Sequence, residues 1–468
     1  MKVSFVVVNP FVSHAPVAPI GAERLVAALL ERFPRRVECA ISVPFLQRKW
    51  RRALVRDLQR FRPDLVGLSL RNLDDALALG EGPAIPPRVV SRSTVPALLE
   101  TVRCVQSVTA AAILIGGTGF SCAPGALLRA TGIRFGVVGP GEEALATLVG
   151  RMLEGASAEQ ALQQMVGHAG VLDAGCDRLE RAPTRMFGPV RTPRHPGCAA
   201  LLRSLDERFP VVFSHGCNRR CFYCIEPSLN GRRVSFRPVE AVVAELEHLA
   251  ASGLRKVWLC ASELNGASEA RAVELFREVA RRRLSLDLRS YLVPSPVSEA
   301  LLDAMEAAGQ RPWEWNFEFG HFAESVLARR GGPSSLAAQE RLVNLFLKRN
   351  YPMLGATAVF GGLGESERTL YEAATRLRAY DAALPQGFGL TAAFGVRVYP
   401  TAPIGVEVLR DPAPHRAYLY PRRRSLDGLK PLFYSRPLAP WGLAAAIRTA
   451  CGPMKGGVGI FARPEPAD

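Results

Sequence analysis

Three cysteines whose spacing could support metal chemistry lie close together in residues 215–227, HGCNRRCFYCIEP. Cys217, Cys221 and Cys224 have the spacing C-x3-C-x2-C, so three thiolates can point inward from one loop. Such a set suits a metal ion or an iron–sulfur cluster. A structural zinc site needs four protein ligands, usually from two paired C-x2-C units, and no second unit follows here. Three ligands leave one coordination position open, and open metal sites do chemistry.

Two simpler interpretations of this segment stay open. The cysteines could be ordinary thiols in a basic loop, although three of the ten cysteines in 468 residues rarely fall so close together. They could also form a zinc site that His215 completes as the fourth ligand. The aromatic pair Phe222–Tyr223, between the last two cysteines, helps to decide between these interpretations and an iron–sulfur cluster.

The segment resembles the motif of the radical S-adenosylmethionine (radical SAM) enzymes, in which three cysteines hold a 4Fe–4S cluster. The resemblance implies that Cys217, Cys221 and Cys224 bind the cluster. It also implies that the fourth iron is free to bind the amino and carboxylate groups of S-adenosylmethionine. The aromatic residue before the third cysteine, here Tyr223, would lie beside the adenine.

The composition indicates a globular protein of more than one domain. A chain of 468 residues is longer than a domain with one hydrophobic core usually is. Of its residues, 48% are hydrophobic and 22% charged. The net charge of +16 permits nucleic-acid binding. The basic residues, however, are scattered over helical faces without a long run beside aromatic residues. We therefore expect no nucleic-acid partner, and attribute the charge to compositional bias or to anionic substrates and cofactors.

The cysteine usage and the amino terminus predict a cytoplasmic protein. Ten mostly isolated cysteines argue against a disulfide framework and for a reducing compartment. The apolar run in MKVSFVVVNP is too short for a signal sequence. No segment approaches the ~20 apolar residues of a membrane span, so we expect no membrane contact.

Residues 1–150 alternate between strands and helices. Apolar runs predict strands at 3–8, 65–70, 111–115 and 135–138, and helices at 22–31 and 47–61. The last two strands end in the glycine-rich turns GGTG and GPGE. This pattern predicts an α/β domain with a Rossmann-like, doubly wound parallel sheet that binds a ligand along the carboxyl ends of its strands. GGTG alone lacks the G-x-G-x-x-G spacing and is a weak signal.

The loops of this domain, in the set NP, SLRN, GGTG and GPGEE, resemble the cobalamin-binding domain that precedes many radical SAM domains. The resemblance assigns cobalamin contacts to residues at the strand ends, namely Ser69, Gly116, Gly117, Thr118, Gly139 and Glu142. The D-x-H-x-x-G motif, whose histidine would ligate cobalt, is absent, and His14 does not fit it.

Arg71 follows the strand at 65–70 and should reach the same edge. Some cobalamin-dependent members of the family place an arginine near the lower face of cobalt, and the resemblance gives Arg71 this catalytic role. The alternative is that Arg71 caps Asp74 or Asp75. Residues 72–95, which are rich in proline and glycine, are expected to form an exposed flap over the ligand edge.

The rest of the chain divides into three parts. Residues 151–206 are predicted to be a linker, and the alternation resumes with strands at 256–260, 284–292, 314–319, 353–360 and 394–399. We expect a partial or full (β/α) radical SAM barrel over residues 207–403, with its active residues at the carboxyl ends of the strands. Residues 404–468 form a small carboxyl-terminal extension.

Three polar residues of the barrel complete the predicted site. The segment ASELN resembles the family's turn after the second strand, so Glu263 would accept hydrogen bonds from the amino group of S-adenosylmethionine and Asn265 would lie beside it. GGLGE, at 361–365, resembles the turn whose backbone lies close to the adenosine. Glu318, at a strand end, is a candidate for a ribose or substrate contact. The alternative for each carboxylate is a salt bridge at the barrel mouth.

Taken together, the resemblance implies a cobalamin-dependent radical SAM methyltransferase of class B. It would move a methyl group from S-adenosylmethionine via methylcobalamin to an unactivated carbon, less often phosphorus, of a small-molecule substrate. A low-potential electron donor such as flavodoxin or ferredoxin would be its partner. Two alternatives remain: a cobalamin-containing radical SAM enzyme that catalyses ring rearrangement or oxidative cyclisation, and a non-catalytic cobalamin or cluster sensor. A 5′-deoxyadenosyl radical and a polar methyl transfer are both left open.

Overall fold

The structure is a computed structural model, and it describes residues 1–11, 18–80, 88–167, 170–175, 195–332, 334–422, 426, 428–460 and 462–463. His14 lies outside the described residues, as do parts of the predicted flap and linker. No helix among these ranges has the length and apolar character needed to cross a membrane.

The amino-terminal domain is built around one six-stranded sheet. Its first segments are β1 (Lys2–Val8), α1 (Ile20–Arg32), β2 (Glu38–Ser42), α2 (Trp50–Phe61), β3 (Leu65–Leu70), β4 (Leu79–Gly80) and α3 (Val95–Val108). Its later segments are β5 (Ala112–Gly116), α4 (Thr118–Cys122), α5 (Pro124–Thr131), β6 (Phe135–Val137), α6 (Glu142–Leu153), α7 (Ala158–Gln163) and β7 (Val171–Asp173). The strand order is β2-β1-β3-β5-β6-β7, and only β7 runs antiparallel to its neighbour.

Alternation of side chains along β1 explains why helices cover both faces of this sheet. Val3, Phe5 and Val7 pack on one face with α1 and α6, whereas Val6 and Val8 pack on the other with α2 and α3. The predicted doubly wound sheet is therefore confirmed. The domain is longer than expected, because α7 and β7, which were predicted to belong to the linker, complete the sheet.

The central domain is a partial barrel. Its strands are β8 (Phe209–Val212), β9 (Ser214–His215), β10 (Ser235–Phe236), β11 (Lys256–Cys260), β12 (Asp287–Arg289), β13 (Tyr291–Leu292), β14 (Asn316–Gly320), β15 (Met353–Phe360) and β16 (Phe388–Phe394). Its helices are α8 (Pro196–Ser204), α9 (Glu226–Asn230), α10 (Val239–Ala251), α11 (Glu269–Arg281), α12 (Glu299–Ala307), α13 (Glu324–Arg330), α14 (Leu336–Lys348) and α15 (Glu367–Ala383). The parallel ladders β8-β11-β12 and β13-β14-β15-β16 are separated only by Ser290.

The carboxyl-terminal part pairs with strands of both domains. It comprises β17 (Val396–Arg397), α16 (Pro403–Arg410), β18 (Leu419–Tyr420), β19 (Phe433–Tyr434), α17 (Pro440–Cys451), β20 (Val458–Ile460) and β21 (Ala462–Arg463). Strand β20 adds to the barrel beside β16, and β21 pairs with β4 of the amino-terminal domain. The strand predicted at 394–399 is thus misplaced, since the main sixth barrel strand is β16.

The segment predicted as an exposed flap is partly buried where the structure describes it, and only Ala76, Arg88 and Arg92 there are exposed. Leu73 and Leu79 are each 1% exposed, and Ala78 and Leu79 belong to the apolar core of the barrel. Strand β4 in this segment is covered by β21. The prediction failed because the apolar partners of this loop come from the distant barrel, which a local excess of proline and glycine does not reveal.

Candidate cofactor site at the domain junction

The three predicted cluster cysteines lie in one loop at the mouth of the barrel. Strands β9 and β10 pair antiparallel at the base of this loop, with His215 opposite Ser235. Gly216 has φ = +83°, and a β-carbon there would lie 2.1 Å from the carbonyl oxygen of Arg233. Only glycine tolerates this backbone conformation and this close approach. The backbone at the start of the cysteine loop is therefore held in one position.

The three thiols influence one another electrostatically. Cys217 and Cys221 are buried, Cys224 is half-buried, and all three are free. Burial, with a smaller contribution from the neighbouring thiols, raises the pKa of Cys221 and Cys224 to about 12. The backbone N–H groups of Arg219 and Glu226 donate to the sulfurs of Cys217 and Cys224, which favours their thiolate forms. Iron binding must therefore displace protons, and the loop supplies donors for the resulting charge.

The donor set fits a cluster better than a single ion. Among the described residues, no group of three His, Cys, Asp or Glu side chains is arranged around one metal ion. In an iron–sulfur cluster each cysteine binds a different iron, so the thiols need not converge on a point. Zinc completed by His215 is disfavoured, because the Nε2 atom of His215 lies 2.5 Å from Nη1 of Arg24.

The aromatic pair of the loop packs against the barrel. The Phe222 N–H donates to the carbonyl oxygen of Arg330 at 3.0 Å, and the Arg330 guanidinium lies 5.8 Å from the centre of the Tyr223 ring. A β-carbon at Gly362 would lie 2.6 Å from the Phe222 ring. The predicted adenine contact, Tyr223, and the GGLGE turn are therefore brought to the same side of the loop.

Glu263 lies beside the cluster loop, in an ion pair with Arg219. Nε of Arg219 is 3.1 and 3.3 Å from the two carboxylate oxygens. Burial raises the pKa of Glu263, and Arg219 opposes this shift. The carboxylate is also close enough to Cys217 and Cys221 to raise the pKa of both thiols. Glu263 is thus placed as predicted, but the salt bridge to an arginine is present as well.

The Asn265 side chain is bonded to the backbone of the barrel. Its Nδ2 donates to the carbonyl oxygens of Val293 (2.9 Å) and Pro296 (2.5 Å), and its Oδ1 accepts from the Val293 N–H at 2.9 Å. The side chain is completely buried. Through these bonds Asn265 ties two barrel loops together, and its predicted cofactor contact stays a prediction.

One carboxylate oxygen of Glu318 has no hydrogen-bond partner among the described residues. Oε2 accepts from the Thr357 hydroxyl at 2.9 Å, whereas the buried Oε1 makes no hydrogen bond to that part of the chain. Burial raises the pKa of Glu318 to about 6. Glu318 also raises the pKa of Tyr223 and Cys221, which places it at the cluster side of the barrel. A buried acceptor in this position fits a hydroxyl or ammonium donor from a ligand.

A buried network that the sequence analysis missed supports the GGLGE turn. Nη2 of Arg330 lies 3.2 Å from Oε1 of Glu365, and this oxygen accepts from the N–H groups of Gly361 (2.9 Å) and Gly362 (2.7 Å). Nε2 of His321 lies 3.6 Å from the other Glu365 oxygen. These contacts join two strand ends and the cluster loop. No local pattern around Arg330, in LARRGG, indicates this role.

The residues predicted to contact cobalamin lie along the carboxyl edge of the amino-terminal sheet, but the carboxylate of one of them, Glu142, is engaged by an arginine. Ser69 pairs with Gly116 in register, and Thr118 is exposed at the start of α4. Gly117 has φ = +97°, and a β-carbon there would lie 2.5 Å from the carbonyl oxygen of Leu70. Close packing against β3 therefore explains this glycine.

Gly139 and Glu142 connect this edge with the barrel. A β-carbon at Gly139 would lie 3.0 Å from the carbonyl oxygen of Leu229, which belongs to α9 just beyond the cluster cysteines. Glu142 is buried and forms an ion pair with Arg24, with 2.9 Å between Oε1 and Nη2. Glu142 was predicted to contact cobalamin, but its carboxylate is engaged by an arginine from α1.

Arg71 lies at the same edge and lacks an acidic partner among the described residues. Asp74 pairs with Arg397, and Asp75 accepts from Ser91 and the Arg92 backbone, so neither predicted cap is used by Arg71. Burial lowers the pKa of Arg71, and the Cys260 thiol at the end of β11 counteracts this. A half-buried guanidinium that faces the barrel without a carboxylate among the described residues fits a position beside a bound cofactor.

The chain is similar to known proteins over most of its length. Residues 211–377 match the radical SAM superfamily. Tryptophan 2-C-methyltransferase of Streptomyces laurentii is 28% identical over 85% of this chain and 73% of its own length. The structure of the radical S-adenosylmethionine methyltransferase TsrM from Kitasatospora setae with cobalamin and a [4Fe-4S] cluster bound has a TM-score of 0.73. It is 25% identical and covers 97% of this chain and 91% of that one.

A second TsrM structure extends the comparison. It contains the tryptophan substrate and the SAM analog aza-SAM, with a TM-score of 0.74 and 26% identity, over 97% of this chain and 89% of that one. The match therefore includes the amino-terminal sheet and the barrel together. This chain therefore contains a radical SAM domain, and in its cysteine loop, its barrel and its amino-terminal sheet it is similar to cobalamin-dependent radical SAM methyltransferases.

Proposed function

We propose that this chain binds a 4Fe–4S cluster, S-adenosylmethionine and cobalamin, and methylates a carbon atom of a small molecule. One observation carries the proposal: the edge of the sheet that would bind cobalamin lies directly against the loop that would bind the cluster. Gly139 packs on Leu229, and Arg24 bonds to His215, two residues before the first cysteine. A methyl carrier and a bound methyl donor would thus face each other.

Each cofactor has a set of residues suited to its chemistry. Cys217, Cys221 and Cys224 would hold the cluster, and Tyr223, Glu263, Glu318 and the turn at 361–365 would surround S-adenosylmethionine. Ser69, Gly116, Gly117, Thr118, Gly139 and Arg71 would face cobalamin, whereas Glu142 would act through Arg24. Cobalamin, when bound, supplies a cobalt centre that carries a methyl group between donor and acceptor.

Arg71 would influence the cobalt from the protein side. A guanidinium has five N–H donors and no acceptor, and it stays protonated, so it cannot ligate a metal. Its position would exclude a protein ligand from that face and hold positive charge there. These properties would suit Arg71 to a place beside cobalamin, which would supply the methyl-transfer chemistry when bound.

The first candidate substrate is tryptophan or a close analogue. This rests on the tryptophan methyltransferase of Streptomyces laurentii and on the substrate in the TsrM structure. The barrel also contains an aromatic pair, Trp258 and Tyr291, with 5.2 Å between ring centres, and the unpartnered Oε1 of Glu318. An aromatic ring and an ammonium group would complement these features. A low-potential donor such as flavodoxin or ferredoxin would reduce the cofactors.

The proposal is tested by anaerobic incubation of the reconstituted protein with methyl-labelled S-adenosylmethionine, a reductant and tryptophan. We expect S-adenosylhomocysteine and labelled methyltryptophan in equal amounts. Omission of tryptophan and the variant Cys221→Ala serve as controls. S-Adenosylhomocysteine formed with another small molecule would retain methylation but change the substrate. No S-adenosylhomocysteine with any acceptor would contradict the methyltransferase proposal and favour a ring-rearranging enzyme or a sensor.

A further inference from the structure

Arg24 connects the two cofactor regions through both ends of its guanidinium. The residue lies on α1 of the amino-terminal domain, and its side chain is 18% exposed. Nη2 lies 2.9 Å from Oε1 of Glu142 at the start of α6, and Nη1 lies 2.5 Å from Nε2 of His215 at the end of β9. One side chain therefore bridges the GPGE turn and the base of the cluster loop.

The direction of these hydrogen bonds is fixed by chemistry. Arginine can only donate, so Nε2 of His215 must be the acceptor and its proton must be on Nδ1. The Arg24 guanidinium has no acceptor to offer, so the His215 ring takes part in this bond in its neutral form. Glu142 balances the charge of Arg24, and its carboxylate is 8% exposed. The three groups thus form a consistent chain of contacts.

A shift in the contacts among Glu142, Arg24 and His215 would reach the cluster ligands directly. His215 is paired with Ser235 at the neck of the loop, and Gly216 is packed tightly against Arg233. The next residue, Cys217, donates its N–H to the Gly231 carbonyl oxygen at 3.0 Å. Only Gly216 separates His215 from the first cysteine, and its close packing on Arg233 fixes its backbone, so a shift of Arg24 is transmitted to the thiol.

We propose that Arg24 is a positioning residue that couples occupation of the cobalamin edge to the geometry of the iron–sulfur cluster. The inference rests on the proposed function, because it requires both cofactors to bind. Cobalamin that settles on the GPGE turn would bear on Glu142, and Arg24 would pass the change to His215 and the loop. The sequence gives no sign of this role, since the three residues are far apart in the chain.

The test compares the reconstituted full-length protein with and without hydroxocobalamin. The readouts are the electron paramagnetic resonance spectrum of the reduced cluster and its midpoint potential, because hydrogen bonding and solvent exposure at the sulfurs set both. In the wild type we expect cobalamin to shift both quantities. In Arg24→Met, with iron and cobalt contents unchanged, we expect less than half of each shift. Arg32→Met, an exposed arginine on the same helix, is the matched control and should behave as the wild type.

Two further measurements separate the possible outcomes. Arg24→Lys keeps the charge but lacks the planar fork that reaches two partners, so an intermediate shift is expected; this variant also serves if Arg24→Met does not fold. Amide hydrogen exchange of residues 215–234 should slow on cobalamin binding in the wild type and change less in Arg24→Met. An undiminished shift in both Arg24 variants, or no shift in a wild type that holds both cofactors, would overturn the inference and leave the proposed function intact. A wild type that never binds cobalamin would instead refute the proposed function.

Discussion

Asp74 and Arg397 form a buried ion pair that joins the amino-terminal domain to the end of the barrel. Oδ2 of Asp74 accepts from Nη2 and Nε of Arg397 at 2.6 and 2.8 Å, and the two side chains are 0% and 5% exposed. The guanidinium also lies 4.5 Å from the centre of the Tyr399 ring. Because the partners are 323 residues apart, this pair fixes the domains against each other beside the proposed cofactor cavity.

Removal of one partner should be costly. In Asp74→Ala the Arg397 charge stays buried without its carboxylate, so we expect the free energy of unfolding to fall by about 3–5 kcal/mol. Denaturant unfolding of the cofactor-free chain measures this. The control is Glu274→Ala, which breaks the exposed pair with Arg271 and should cost about 1 kcal/mol or less. A loss of similar size in both variants would show that the buried pair is not important for stability.

The pKa of Glu318 predicts a specific dependence of stability on pH. The value is raised from 4.5 to about 6, so the folded state favours the protonated carboxyl. The resulting stabilisation is complete below pH 4.5 and is lost as pH rises through 6. The difference amounts to about 2 kcal/mol, since one pKa unit corresponds to about 1.4 kcal/mol.

Glu318→Gln has no such ionisation. Relative to the wild type, its free energy of unfolding should therefore rise by about 2 kcal/mol between pH 4.5 and 7.5. Denaturation of the cofactor-free proteins at a series of pH values gives this difference. Glu372→Gln, on the surface of α15, is a control for the loss of one carboxylate. If the two variants differ from the wild type by constant amounts at all pH values, the assignment of the shifted pKa to Glu318 is wrong.

Asn265 should affect stability without affecting cofactor affinity. Asn265→Ala would leave the buried Val293 N–H without its acceptor, so we expect destabilisation of about 1–3 kcal/mol. The affinity for S-adenosylmethionine, measured by equilibrium dialysis on folded protein, should stay within about twofold of the wild type. Glu263→Gln is the comparison variant, for which a weaker affinity is expected. A selective loss of affinity in Asn265→Ala would support the contact predicted from the sequence.

Arg71 can be tested with a substitution that adds a metal ligand. In Arg71→His the imidazole should ligate cobalt, and nitrogen splitting should appear in the resonance spectrum of the Co(II) form. The wild type and Arg71→Met should show no splitting from a protein nitrogen, because neither side chain offers a nitrogen acceptor, and isotopic labelling of histidine nitrogen distinguishes this splitting from that of cobalamin's own base. The absence of nitrogen splitting in folded, cobalamin-loaded Arg71→His would place Arg71 away from the cobalt.

The sequence predicted features whose determinants are local. The spacing of Cys217, Cys221 and Cys224 is contained in eight residues, and apolar runs such as those of β3, β11 and β15 have the predicted bounds. Strand β7 was missed because it has only three residues and lies in a segment without strong periodicity. Its assignment to the sheet depends on pairing with β6.

Roles that depend on distant partners were not predictable. Glu142 has the type and the position of a cofactor ligand, but Arg24 engages it across more than a hundred residues. Asn265 follows the family pattern, yet its bonds go to the backbone of the next barrel loop. In both cases the side chain satisfies a buried partner from another element, and only the folded chain shows which partner is nearest.

The central claim is that one chain holds a cluster and cobalamin next to each other, and metal analysis after anaerobic reconstitution tests it most directly. With iron, sulfide and hydroxocobalamin supplied, we expect about four irons and about one cobalt per chain after desalting. Cys221→Ala should lose the iron and keep the cobalt, whereas Cys451→Ala, a buried thiol in α17, should retain both. Iron without cobalt in the wild type, or iron retained in Cys221→Ala, would contradict the account.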